Sequence, residues 1–369
     1  MMRLLQGAPP QQEDRSERAD ERAEERKTKS MTAGASIEIL DLRHFNAQAM
    51  QAVMEAEGAL WLERLHWDFR NSAQLLTQYL DSRTLTGFAA IDSGRIVGYT
   101  FCVYEDTKAV IGDIFVPEGG QNGSLRRGDE ARTIERTLMR HLFELLLHSP
   151  GVERIESQLL LPPSGFHEHI FRDAGFAIFP RLFMVQPLEG RWSEPHPQLP
   201  PELELRPWRD EDLSAAGRLI CEAYREHPDS LINDQYRSVH GSMRFLNNIV
   251  RYSGCGAFSF PVSHVVVDRR SRDMAALVLG SRVSPRSGHI TQLCVRPDYR
   301  RRGLARMLLE VASHRFLRQG AAEISLTVTE ANTHAIDLYQ SEGYVRAHSF
   351  DANVWQRSGS ASIFRNLFA

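Results

Sequence analysis

Cysteine is scarce in this chain of 369 residues: Cys102, Cys221, Cys255 and Cys294 stand far apart, with no CxxC pair among them. That scatter excludes a zinc-ribbon framework or a disulfide scaffold, and reduced thiols in a cytoplasmic protein are the expectation. The 14 histidines show no HxxxH-type spacing, so no metal site is expected. No uninterrupted apolar run approaches membrane-spanning length. Net charge is also nearly absent, at −3, which leaves no global attraction to nucleic acid or to an anionic membrane. What remains is an ordinary globular composition, 42% apolar and 25% charged, on a length that suits two domains.

Residues 1–35 form a charged arm (QQEDRSERADERAEERKTK) with almost no apolar content and no apolar h-region of a secretory signal. It is expected to be disordered, and Met31 is an alternative start. A globular unit follows over 36–190. The stretch 191–202 (RWSEPHPQLPPE) holds four prolines and reads as an extended linker. A second unit covers 203–369.

Each unit reads as a mixed α/β succession. In the first, strands are expected at Ile37–Leu42, Gly87–Ile91, Ile96–Tyr104, Ala109–Val116 and Val152–Leu161, with helices at Ala47–Glu57, Thr133–Leu147 and Ser164–Asp173. In the second, strands are expected at Leu203–Pro207, Val262–Val267, Met274–Val283, His289–Val295, Glu323–Val328 and Val345–Trp355. Helices run up to Tyr224, from about Asp234 to Tyr252, after Gly303, and through Tyr339. The element order is the same in both halves. Val116 precedes Val295 by 179 positions and Gly175 precedes Gly343 by 168, so the chain reads as two copies of one unit.

The densest local pattern is HITQLCVRPDYRRRGLA, from His289 to Ala305. A β-branched strand ends at Pro297, a cationic turn follows, and Gly303 opens a helix whose Leu304, Met307, Leu308, Val311 and Ala312 share a face. A helix start with free N–H groups favours an anion. Arg300, Arg301 and Arg302 favour a polyphosphate, and the small Gly303 and Ala305 allow close approach. Downstream lies Asn332-x-x-Ala335-x-x-Leu338-Tyr339-x-x-x-Gly343-Tyr344. Together these resemble the GNAT superfamily of acyl-CoA-dependent N-acyltransferases, whose R/Q-x-x-G-x-G/A signature Arg300, Gly303 and Ala305 match.

The resemblance implies two tandem GNAT-like domains, each a mixed, mostly antiparallel twisted sheet flanked by helices. It implies acetyl-CoA as co-substrate, with the pyrophosphate held by Arg300, Arg301, Arg302, Gly303, Leu304 and Ala305. The pantetheine arm would pair with the main chain of Leu293, Cys294 and Val295, and Asn332 would touch the cofactor besides capping a helix. Tyr339 corresponds to the tyrosine that protonates the departing thiolate. For the base, His289 lies on the strand face where some relatives place theirs, and Glu330 competes with it. The acceptor is expected to be an amine of a small molecule or peptide. Glu222, Glu226, Asp229 and Asp234 suit a cationic amine or, more simply, a solvated face.

The first copy departs from the pattern. Twelve positions separate Val116 from Gly128, against eight between Val295 and Gly303. Leu125 replaces the arginine, Glu130 the alanine, and Phe171 the tyrosine. Carboxylates at a phosphate cradle repel the ligand, and a phenyl ring has no proton to give. The first unit is therefore expected to be a degenerate copy that leaves the chemistry to the second.

Overall fold

The computed structural model describes residues 37–118, 128–188, 195, 198–251 and 256–357. The charged arm, the loop at 119–127 and part of the proline-rich linker lie outside the described residues. Among those described, no helix is long and apolar enough to cross a membrane, and no group of three or more His, Cys, Asp or Glu side chains could hold a metal ion.

In the first unit the strands are β1 (Glu38–Asp41), β2 (Thr86–Asp92), β3 (Arg95–Glu105), β4 (Lys108–Phe115), β5 (Arg154–Gln158) and β6 (Ala177–Pro187). Its helices are α1 (Ala47–Leu65), α2 (Arg70–Asp81), α3 (Gly128–His148) and α4 (Glu168–Asp173). Asn46 caps α1 by accepting the Ala49 N–H at 3.0 Å. That helix runs eight residues past the expected Glu57 and stops only where His66 turns left-handed. The sequence reading passed over α2, whose buried Leu76 and Leu80 recur at a helical spacing.

The second unit repeats the order with β7 (Leu203–Pro207), β8 (Ala257–Phe258), β9 (His264–Asp268), β10 (Met274–Arg282), β11 (Ser287–Val295), β12 (Glu323–Thr329) and β13 (Val345–Gln356). Helices α5 (Leu213–Ala223), α6 (Asp229–Ile232), α7 (Val239–Arg251), α8 (Leu304–Arg318) and α9 (Thr333–Ser341) accompany them. The long helix expected from Asp234 is two pieces, a 3₁₀ turn at Asp234–Arg237 and then α7, with extended Ser238 between.

The strands join in one twisted sheet, ordered β1-β2-β3-β4-β5-β13-β6-β12-β11-β10-β9-β7, with β8 added to β10. Most neighbours are antiparallel. The exceptions are β4 with β5 and β11 with β12, which run parallel because a helix crosses over between them. The sequence reading had β13 complete the second unit. Instead the two units exchange their last strands: β6 pairs with β12 and β13 pairs with β5. The strands β6 and β13 then pair with each other at the centre.

A second link is ionic. Lys108 Nζ lies 2.8 Å from Asp234, 3.2 Å from Glu156 and 3.3 Å from Glu105. Beside it Arg154 bonds Glu156 at 2.5 Å and donates to the Leu231 carbonyl at 2.6 Å. Lys108, Arg154 and Glu156 are buried, so each charge needs the others. The first unit thereby fixes the segment 228–237 of the second.

Candidate active site

Strands β11 and β12 are paired only from Ser287 with Glu323 to Ile290 with Leu326. Beyond that they separate. Thr291 is the extra residue of a bulge against β10, which places Ile290 opposite Gly280 and Gln292 opposite Leu279 and bends the strand. From there to Val295 one edge of β11 has no strand partner, and neither does the facing edge of Thr327–Thr329. A wedge between two strands, with free main-chain donors and acceptors on both sides, is a slot for an extended amide-bearing chain.

At the end of β11 the turn Pro297–Tyr299 leads through Arg300 to Arg301, which is left-handed at φ 63°, and to Gly303 at φ 77°. The N–H groups of residues 301–306 meet no acceptor among the described residues, the next backbone bond being Met307 N–H to Gly303 C=O at 3.0 Å. These groups open at the positive end of the 15-residue helix α8. A Cβ built on Gly303 meets nothing within 4 Å, so the main chain there is open to a ligand. Arg301 and Arg302 are exposed, and Arg302 stacks over the Tyr299 ring at 5.0 Å.

At the other side of the wedge α9 presents Tyr339, half-buried, with its ring 5.8 Å from that of Tyr344. No hydrogen bond to its hydroxyl is made among the described residues. Burial raises its pKa well above the ordinary phenol value, the Asp229 carboxylate adds to this, and the Arg181 guanidinium opposes it. The turn after α5 brings His227 to Asn332, the residue before the same helix. Its Nδ1 accepts the Asp229 N–H at 3.2 Å and its Nε2 lies 3.2 Å from the Asn332 amide. Burial lowers the pKa of this ring, with Arg300 adding and Asp229 opposing, so it is neutral near pH 7. Thr329 donates to Asp229. Tyr224 and Tyr236 stack at 4.4 Å, and both meet the Gln292 amide, at 3.1 and 3.4 Å.

Comparison with known proteins shows which fold carries this arrangement. Residues 202–344 match the model of the Acetyltransferase (GNAT) family. The second unit is a GNAT domain. Among solved structures the chain is similar to a GCN5-related N-acetyltransferase from Sphaerobacter thermophilus, at 16% identity and a TM-score of 0.55 over 86% of this chain and 95% of that one. It is similar also to a tandem GNAT protein from the clavulanic acid biosynthesis pathway, at 15% identity and a TM-score of 0.54 over 87% of this chain and 98% of that one. A glucosamine N-acetyltransferase region of a fungal multi-domain β-N-acetylglucosaminidase gives 14% and 0.54 over 88% of this chain and 38% of that one. Identities this low speak of fold, and the fold is a tandem GNAT.

Within the GNAT domain the expected residues fare differently. Asn332 caps α9, accepting the Ala335 N–H at 3.3 Å. Leu293 and Val295 pack into the core under α8, and Cys294 is buried on the opposite face, its thiol pushed up to about 12 by burial. These three therefore offer only main-chain groups. Leu304 is likewise a core side chain. Arg300 is turned back on the protein, donating to the Ala223 carbonyl at 2.8 Å, so it ties α5 to the loop.

His289 is a correction. It is buried, bonds Ser325 at 2.9 Å, and lies edge-on to Trp67 at 4.9 Å and stacked on Phe183 at 6.2 Å. Burial pulls its pKa down to about 3. Simple alternation put His289 with Thr291 and Leu293, but the bulge at Thr291 places it on the face of Gln292 and Cys294, and two aromatic rings from the first unit cover it there, so the ring cannot meet an amine. Glu330 is exposed and paired with Arg346 at 3.7 Å. His227 was missed, as was the place of Asp229 in the cleft instead of on a solvated face. The available signal was the short His227-Pro228-Asp229 turn directly after α5. Arg181, on the exchanged strand β6, also reaches this region, donating to Thr327 at 3.4 Å and to Gln158 at 2.5 Å.

The first unit repeats the frame without the groups. Strands β4 and β5 pair from Lys108–Ile111 with Arg154–Ser157 and then part. Phe171 is buried against Phe143 and Phe176. Ser164 stands seven residues before Phe171, as Asn332 stands before Tyr339. It gives its hydroxyl to Asp351 of β13 at 2.6 Å, so that end is closed by the exchanged strand.

Proposed function

We propose that the chain transfers the acetyl group of acetyl-CoA to a primary amine of a small molecule or peptide, from the cleft of the second unit. The observation that supports this most is the meeting of two unlike features across one split in the sheet. One is the row of free N–H groups at 301–306, suited to a pyrophosphate. The other is the pair Tyr339 and His227, one holding a proton at neutral pH and one ready to accept one. Acetyl-CoA supplies the activated thioester, and the free edge of Leu293–Val295 would bond its pantetheine amides.

A lysine-like amine has a pKa of about 10.4 and arrives protonated. His227, neutral and beside the Asp229 carboxylate, accepts the amine proton, directly or through water. The amine nitrogen then bonds to the thioester carbonyl carbon, while an N–H of the Thr291–Val295 edge donates to its oxygen. The carbon–sulfur bond breaks, Tyr339 gives its proton to the thiolate, and the nitrogen's second surplus proton passes to the tyrosine oxygen, directly or through water. The amide and the free thiol leave. Gln292, Tyr224 and Tyr236 form the acceptor wall, held in place by the ionic cluster of the first unit.

The test is a screen of amines, amino sugars and peptides with acetyl-CoA, following thiol release. Release that depends on a primary amine is expected. Tight acetyl-CoA binding with no release for any amine would instead make the chain a non-catalytic acyl-CoA binder.

A further inference from the structure

The first unit, with Gly256 and Val283 of the second, lines a cavity of about 250 Å³ on the helical side of β3 and β4, with Trp61, Trp67, Phe69, Tyr79, Phe101 and Asp113 among its walls. Its wall is a run of three rings: Trp61 stacks on Trp67 at 5.6 Å and on Phe69 at 5.7 Å. Phe101 lies flat over Gly112, where a Cβ would come within 2.1 Å of the ring, so only glycine leaves room for this floor. The rim is at Tyr79 and Val103, both exposed.

At the bottom stands the carboxyl group of Asp113, in contact with that of Glu57, which does not itself line the cavity. Asp113, on β4, and Glu57, on α1, are in hydrogen-bonding contact, and both are buried. Glu57 accepts from Trp61 Nε1 at 3.1 Å and from the Tyr99 hydroxyl, and Asp113 accepts the Ile114 N–H at 2.7 Å. Burial, followed for Asp113 by the neighbouring Glu57, raises both pKa values. Two carboxyl groups in contact in a buried place resist ionisation, so the pair holds its protons until a positive charge arrives. Among the described residues no lysine or arginine lines this cavity, and the rim Asp68 is already taken by Arg70 at 2.5 Å. A buried acid with no cation beside it, under a box of aromatic faces, is a receptor for an organic ammonium group.

We infer that this cavity binds a small arylalkyl- or alkylammonium ion, its charge on Asp113 and its apolar body against Trp61, Phe69 and Phe101. The volume, small beside the usual range of about 300–1,000 Å³ for ligand pockets, suits one ring and a short chain. The second unit has the corresponding floor in neutral form: Gln292 stands three residues before Val295, as Asp113 stands before Val116, and bonds Tyr224 at 3.1 Å. A buried carboxyl floor at this register position is therefore particular to the first unit. Trp67 is shared between this cavity and His289 of β11, so an occupant touches the wall next to the other unit's cleft.

The experiment is calorimetry on the full chain with 2-phenylethylammonium and its neutral isostere 2-phenylethanol. One saturable site is expected for the cation, with the alcohol weaker by roughly tenfold or more. Binding should make the pair give up one proton, which leaves a single negative charge against the ammonium, so the measured heat should change with the ionisation heat of the buffer. Asp113→Asn, which keeps the shape and can still bond Glu57, should weaken the cation to the level of the alcohol. Tyr339→Phe and Gly303→Val should leave it unchanged, which separates this site from the acyl-transfer cleft. Should Asp113→Asn not fold, Tyr79→Ala at the exposed rim should lower the affinity instead. Equal affinity for the alcohol, full affinity in whichever of those two variants folds, or no binding at millimolar cation would overturn the inference.

Discussion

Both units close the last crossover in the same way: Phe176 N–H bonds Phe171 C=O at 3.0 Å, and Tyr344 N–H bonds Tyr339 C=O at 2.9 Å. Behind each pair sits a left-handed glycine, Gly175 at φ 83° and Gly343 at φ 89°. The backbones are therefore interchangeable here, and the difference is one oxygen atom and its surroundings. Phe171 belongs to a closed cluster of rings, whereas Tyr339 lies within reach of the Asp229 charge beside a split sheet. A duplicated frame can lose the chemistry and still serve, because the first unit supplies a strand, a buried ionic cluster and the cover over His289.

The sharpest way to break this comparison is Tyr339→Phe, which makes the second unit resemble the first. Turnover should fall by about a hundred- to ten-thousand-fold, with acetyl-CoA affinity nearly unchanged, since the hydroxyl is used only as charge develops on sulfur. Phe171→Tyr should confer no activity in a Tyr339→Phe background. Unchanged single-turnover rates would remove Tyr339 from the mechanism.

Next in size is the link between the units. Lys108→Met leaves Asp234, Glu156 and Glu105 facing one another in a buried place. A loss of about 3–5 kcal/mol in denaturant unfolding is expected. A loss under about 1 kcal/mol, the scale of an exposed pair, would mean the cluster does not hold the units together.

A subtler effect lies in the pH profile. Burial lowers the His227 pKa below its ordinary 6.5, so the ring is an active base above that value. The kcat/KM profile should fall on acidification with a midpoint below about 6.5, and His227→Gln should remove that limb and lower the plateau. Tyr339, raised by burial, keeps its proton through neutral pH, so the alkaline limb should lie above about 10. An acid limb that persists in His227→Gln would point to another base.

Much of this was legible in the sequence because it is local. The duplication, the RRRGLA turn and the Asn332-to-Tyr344 helix are each written in one continuous stretch, and backbone physics ties that stretch to its shape. The exchanged strands were not legible. The strands β6 and β13 carry the same kind of apolar pattern, and nothing in either states which sheet it joins. His289 was misread for a related reason: alternation does not reveal the bulge at Thr291, and Trp67 covers the ring from 222 positions away. His227 and Asp229 lie in a non-periodic turn, where no repeat marks a residue as facing inward. Their role arises from contacts with Asn332 and Thr329, about a hundred positions on.

The central claim is that the units share a fold and only the second keeps the acyl-CoA cradle. Calorimetric titration of the full chain with acetyl-CoA tests it most directly, in the wild type and in Gly303→Val. At φ 77° a β-branched residue strains the turn and puts its side chain where phosphates must approach. One site per chain, lost in Gly303→Val with the melting transition still cooperative, is the predicted result. Two sites per chain, or one that survives Gly303→Val, would contradict it.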